Sequence, residues 1–141
     1  MAECIFCRIA NGQLQAAKVF EASDVVAFLD IGPVSDGHTL IVPKAHYQTV
    51  DLCPKEVLAR MIQTAAMLAK AVMAATGADG YNLLCNNGRA AGQVVPHVHM
   101  HLIPRRHNDG LFDKWPSYTY PAGRIEQIAA TIRANLKADL D

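Results

Sequence analysis

The chain has 141 residues, 13 basic and 13 acidic side chains, a formal net charge of zero and a 51% hydrophobic content. That length buries a core without disulfide staples and points to one domain over residues 1–141. The balanced charge offers no field for nucleic acid or a membrane surface, and the composition is neither collagen-like, disordered nor disulfide-dense.

Residues 1–8 are too polar and interrupted for a secretory signal, so a cytoplasmic location is expected. Residues 5–10 can form a short helix stopped by Asn11 and Gly12. Val19, Phe20, Val25, Val26 and Phe28 predict strands over 18–21 and 25–29 around a turn at Ala22, Ser23 and Asp24. Residues 30–37 carry two glycines and a proline and form a loop. Residues 38–42 read as a strand ended by Pro43. A long helix follows, with Pro54 in its first turn, Glu56 at its positive end and Gly77 as its left-handed stop. Its apolar residues Val57, Met61, Ala65, Leu68 and Val72 recur at helical spacing, and the polar residues Gln63, Thr64 and Lys70 argue against a membrane span. Strands are expected over 81–85 and 94–103, with a polar glycine-containing loop between them and Pro104 closing the second. A last amphipathic helix covers about 125–136. Short links between strands favour antiparallel pairing, hence an α+β domain with helices packed on one sheet.

The sequence His97-Val98-His99-Met100-His101 carries the chemistry. On a strand, the three imidazoles share one face while Val98, Met100 and Leu102 turn to apolar packing. Three such rings are rarely a packing solution, because each polar tip needs a partner. They can act on phosphate, or they can hold a catalytic zinc with an open position. Asn86, Asn87, Gly88, Gly92 and Gln93 lie just upstream and supply the amide and backbone donors that phosphate oxygens need. No Walker-type lysine loop or Rossmann fingerprint is present.

The run from Gly92 to Arg105 resembles the signature of the histidine triad (HIT) superfamily, in which three histidines alternate with apolar residues. The segments Phe28-Leu29-Asp30-Ile31-Gly32-Pro33 and Gly37-His38-Thr39-Leu40-Ile41-Val42-Pro43-Lys44-Ala45-His46 also resemble family segments, as do Ile5, Phe6 and Ile9. The resemblance covers about residues 4–106 and leaves 107–141 as a C-terminal extension. It implies a sheet of about five antiparallel strands carrying a long and a C-terminal helix. It also implies a homodimer and an AMP-like purine nucleotide as ligand. The implied reaction is attack on the α-phosphate by His99 through a covalent histidyl-nucleotide. His101 and His38 would orient the phosphate, and His97 would support the neighbouring ring. Asn86 and Gln93 match phosphate contacts, Asp30 the ribose ligand, and Ile5, Phe6, Ile9 and Ile31 the base pocket. A neutral imidazole is a competent nucleophile near neutral pH, and that chemistry requires no metal.

Cys4 and Cys7 form a C-x-x-C. In several bacterial members of the family such a pair joins the histidines found here at His46 and His97 to bind zinc. Two thiolates and two neutral imidazoles make a closed, structural tetrahedron around Zn²⁺. Where the family often has Ser or Thr, this chain has Val94, which cannot donate a proton to a leaving group. The expected activity is hydrolysis of adenosine phosphoramidates or related mixed anhydrides. Dinucleoside polyphosphate hydrolysis, a nucleotide-binding regulatory module and a metal-dependent hydrolase using the triad as ligands are the alternatives.

Overall fold

The computed structural model describes residues 4–136 and separates into two compact units, Met1–Asp109 and Gly110–Asp141. The first unit is built on a five-stranded antiparallel sheet: β1 (Lys18–Glu21), β2 (Val25–Leu29), β3 (Thr39–Pro43), β4 (Gly80–Leu84) and β5 (Met100–Arg105). The spatial order is β1-β2-β3-β5-β4, so β5 is inserted between β3 and β4. His101 on β5 stands opposite both Leu40 and Leu84. Every residue of β3 is buried, which matches a central strand of apolar residues covered on both faces.

The two faces of the sheet bury different things. On one, Val25, Ala27, Ile41 and Leu102 pack against Met61, Ala65, Leu68 and Ala69 of the helix α2 (Lys55–Thr76). These helical residues fall three and four apart, so they form one stripe. Burying each large side chain contributes about 1.5–3 kcal/mol. By length and apolar content α2 could cross a membrane, but here this stripe lies in the core. The helix ends as its sequence requires: Gly77 takes φ +66° and its N–H donates to the Met73 carbonyl.

On the other face, Val26, Phe28, Leu40 and Val42 meet Phe6, Ile9 and Ala10 of the short helix α1 (Ile5–Ala10). Cys4 caps this helix and Cys7 lies one turn on, so the two thiols project to the same side. Gly37 takes φ +91°, and a Cβ there would stand 2.7 Å from the Thr76 methyl. Only glycine lets the chain pass α2 this closely on its way to His38 and β3.

The strand expected over 94–103 is shorter, beginning at Met100 and running through Pro104 to Arg105. Pro96 has no N–H to give to a ladder, and the next two donors are spent locally. The His97 N–H donates to the Val95 carbonyl, and the Val98 N–H to the Tyr47 carbonyl. His97 and His99 therefore precede the strand, and the three imidazoles do not share one flat face. The strands expected over 38–42 and 81–85 start one residue away from their observed positions.

The second unit has no regular element before the helix α3 (Arg124–Asn135). That helix buries none of its residues. Tyr118 and Tyr120 make an edge-on ring pair at 5.5 Å.

Candidate active site

A cavity of about 570 Å³ opens on the α1 face of the sheet. One end is apolar, with Ile5, Phe6, Ile9 and Phe28; at the other stand Asp30, His99 and His101. Ile31, at 98% exposure, forms part of the rim. Leu14, Gln15 and Ala16 also line it; they lie in the irregular stretch after α1, where no periodicity signals a role.

The ring orientations follow from their hydrogen bonds. His99 Nδ1 lies 2.7 Å from the His97 carbonyl oxygen, so this nitrogen carries the proton and donates it. Nε2 of His99 then keeps its lone pair. The Val34 N–H donates to His38 Nδ1 at 3.0 Å, which makes that nitrogen an acceptor and puts the His38 proton on Nε2. His38 Nε2 lies 2.9 Å from His101 Nδ1 and donates to it. The proton of His101 therefore sits on its Nε2. A chain of three donors thus starts at a backbone amide and ends at an N–H on the cavity side of the sheet.

These rings are held neutral. Burial pushes His101 down to about 4, with His99 and His38 adding to the effect and Asp30 opposing it. Burial also lowers His38, against the pull of Asp30, and lowers His99, against the pull of its carbonyl acceptor. Phe6 sets its ring edge-on to His99 at 4.9 Å between centroids and supplies much of that apolar surrounding. Asp30 accepts the Gly32 N–H on Oδ1 at 2.8 Å, and its Oδ2 is 3.7 Å from His38 Nε2.

His97 belongs elsewhere. Its Nε2 donates to the Pro43 carbonyl at 2.8 Å, leaving the Nδ1 lone pair free. That lone pair faces His46 Nδ1 at 3.0 Å, Cys4 Sγ at 3.4 Å and Cys7 Sγ at 3.6 Å. Cys7 Sγ is also 3.4 Å from His46 Nδ1, and all four ligand atoms lie within 4.8 Å of one another. Two thiols and two imidazole Nδ1 atoms converging on one point fit a four-ligand zinc ion. The triad rings themselves do not converge, since His97 joins the cysteines. Its expected support of His99 is given by the backbone carbonyl rather than by the ring.

The loop before the triad is held by side-chain bonds of its own. Gln93 is buried, with Oε1 accepting from the Gly88 N–H and Nε2 donating to the Gln48 carbonyl, both at 2.7 Å. Both of its polar atoms thus hold the loop. Asn86 takes no side-chain hydrogen-bond partner among the described residues and packs against Gly92. Lys44 pairs with Glu21 at 2.7 Å, Arg105 with Asp109 at 2.8 Å, and Arg106 bonds the carbonyls of Thr76 and Gly77. Sequence reasoning missed the backbone groups that set the tautomers: the accepting carbonyls of Pro43 and His97 and the donating N–H of Val34. No side-chain pattern signals them.

Comparison with known proteins agrees with this geometry. The model of the HIT domain matches residues 11–108. An adenylylsulfatase of Arabidopsis thaliana is 44% identical over 78% of this chain, which spans 56% of that protein. An adenosine 5′-monophosphoramidase of Schizosaccharomyces pombe is 39% identical over 95% of this chain and 98% of its own length. The crystal structure of a HIT family protein from Bacillus subtilis superimposes with a TM-score of 0.88 at 37% identity, covering 96% of this chain and 99% of that one. A zinc-bound histidine triad family protein from Mycobacterium smegmatis gives a TM-score of 0.75 at 33% identity, covering 95% and 99%. With the sheet order, the histidine pair beside an apolar cavity and these matches in hand, the chain belongs to the HIT domain family.

Proposed function

We propose that this protein hydrolyses or transfers a nucleoside monophosphate unit, adenylate above all, by attack of His99 Nε2 on the α-phosphorus. The observation that carries this reading is the 2.7 Å bond from His99 Nδ1 to the His97 carbonyl. It fixes the nucleophilic tautomer in a ring that lines the 570 Å³ cavity.

The base occupies the apolar end among Ile5, Phe6 and Ile9. Asp30 Oδ2 accepts from the ribose hydroxyls. The His101 Nε2–H and the Asn86 amide donate to the phosphate oxygens, and Gln93 holds the loop that presents Asn86. As the P–N bond to His99 forms, the bond from phosphorus to the leaving group breaks. Water then cleaves the histidyl-nucleotide and releases the monophosphate. The names of the relatives from Schizosaccharomyces pombe and Arabidopsis thaliana support adenylate as the unit transferred, with an amine leaving group in one and sulfate in the other. Rapid quenching of a turnover mixture into denaturant, followed by mass spectrometry, is expected to find adenylate on His99. An adduct on any other residue refutes the assignment.

Cys4, Cys7, His46 and His97 would hold zinc as a closed structural site. Bound there, the ion ties the start of α1 to the segment that carries the nucleophile, and supplies no open position for phosphate. A homodimer formed along the free edge of β4 is supported by the exposed Tyr81 and Leu83 on that strand. Light scattering that finds only the monomer mass refutes the dimer.

A further inference from the structure

The four residues that converge on the metal position differ in how far solvent reaches them. His46 is exposed, Cys4 and Cys7 are half-buried, and His97 is fully buried. The thiols therefore stand on the open side of the cluster and His97 on its inner side. Cys53 and Cys85, the other two thiols, pack against the core under α2 instead.

Cys4 and Cys7 are also placed to react with each other. Cys4 caps α1, the Cys7 N–H donates to Cys4 Sγ at 3.5 Å, and the two sulfurs lie within 4.8 Å. Side-chain rotation is enough to bring such a pair together, and both thiols are free.

What depends on these thiols is one wall of the nucleotide cavity. Helix α1 has six residues, too few to hold a helix by itself. It is kept by the burial of Phe6 and Ile9 and by whatever fastens its first turn. Ile5, Phe6 and Ile9 line the cavity, and Phe6 sets its ring edge-on to His97 and His99, at 5.9 and 4.9 Å between centroids. His97 links the two regions: its Nδ1 faces the thiols, and its carbonyl holds the Nδ1–H of His99.

We propose that Cys4 and Cys7 form a thiol-oxidation site through which a peroxide weakens nucleotide binding. The proposal rests on the nucleotide reading of the cavity and adds a regulation to it. One sulfur bonds to a peroxide oxygen, the O–O bond breaks, and hydroxide leaves, so that this sulfur becomes a sulfenic acid. The other sulfur attacks it, the S–O bond breaks, and a second hydroxide leaves. The thiols lose two electrons, the peroxide gains them, and the two thiol protons turn both hydroxides into water. Where the sulfurs begin as thiolate ligands, the hydroxides remain as such. The disulfide offers no thiolate, and His46 and His97 alone hold zinc weakly. The first turn of α1 then loses its tie to His97, and the apolar end of the cavity loosens.

The test treats full-length, zinc-loaded protein with hydrogen peroxide and follows three quantities. Zinc should be released to a chromogenic chelator, and mass spectrometry of peptides should find a Cys4–Cys7 disulfide. Calorimetric titration should show AMP bound at least about fivefold more weakly. Dithiothreitol with added zinc should restore the affinity, which unfolding would not allow. Chelation of zinc with the thiols kept reduced should weaken AMP binding to the same degree. Cys7→Ser should bind AMP as weakly as the oxidised wild type and change no further with peroxide. Zinc retained after oxidation, a disulfide formed through Cys53 or Cys85, or AMP affinity kept within about twofold overturns the proposal. Reduced, zinc-loaded protein that never binds AMP sinks the reading of the cavity itself, whereas binding that oxidation leaves unchanged sinks only the regulation.

Discussion

His97 and His99 are two residues apart and both buried, yet each uses the opposite ring nitrogen. His97 gives its Nε2–H to the Pro43 carbonyl and turns Nδ1 toward the cysteines. His99 gives its Nδ1–H to the His97 carbonyl and keeps Nε2 for the cavity. One region is thus a ligand cluster suited to a closed metal site, and the other an imidazole that keeps an Nε2 lone pair for the cavity, as the proposed attack on phosphorus needs. Residue type does not separate them; the position of one backbone acceptor does. A histidine motif specifies where imidazoles are, while the surrounding chain specifies what they can do.

The largest expected effect breaks the nucleophilic half. His99→Ala should lower turnover roughly 10⁴-fold or more, the scale of losing a nucleophile. Nucleotide affinity should change by less than about tenfold, or about 1.4 kcal/mol. Steady-state rates and calorimetric titration with a nonhydrolysable analogue check both numbers.

The next breaks the other half. Cys4→Ser with Cys7→Ser should bring zinc content near zero in protein purified without added metal. An ion present at about a thousand times its dissociation constant stabilises by about 4 kcal/mol, so Tm should fall by of order 10 °C. Rate should fall less than in His99→Ala, since no proposed ligand is the nucleophile. Zinc retained at full stoichiometry by the double variant, measured by elemental analysis, would place the ion away from the cysteines.

A third prediction sharpens the electrostatic side. Burial holds the folded pKa of His101 at about 4, below the usual 6.5 of a free imidazole. Between those values the unfolded chain binds a proton that the folded one refuses. This contribution to stability is therefore fully present above about pH 6.5 and is lost as pH falls toward 4, up to about 3 kcal/mol in all. His101→Gln should flatten that part of the pH–stability curve measured by denaturant unfolding. An unchanged slope would mean that His101 is not the group responsible.

The smallest effect concerns the sugar. Wild type should bind 2′,3′-dideoxynucleotides about tenfold more weakly than ribonucleotides, about 1.4 kcal/mol. Asp30→Ala should erase the difference, and equal binding of both sugars by wild type would remove Asp30 from the ribose site.

Much of this architecture is legible in the sequence because strong local signals agree. Met61, Ala65 and Leu68 mark one face of α2, Gly77 ends it, and Val25 through Phe28 announce a strand. The Cys4, Cys7, His46 and His97 cluster was legible through family resemblance, although the four residues span most of the first unit. The alternation of His97, His99 and His101 is less reliable as a guide. It reads as strand over its whole length, but Pro96 and two locally spent amides delay the ladder to Met100. Gln93 matches a phosphate-contact position by resemblance, and its two bonds to Gly88 and Gln48, which also brace the loop, carry no trace in the sequence.

The acceptor that orients His99 is a peptide carbonyl, and this limits how it can be found or lost. A peptide oxygen is not encoded by any codon: each of the twenty residues at position 97 would bring one. Alanine scanning would score the histidines and pass over the atom that fixes the tautomer of one of them. The orienting group is thereby insulated from point mutation in a way that a carboxylate partner would not be. What remains heritable is the path of the backbone through Pro96 and Val98, so drift in this activity should enter through residues that shape the turn.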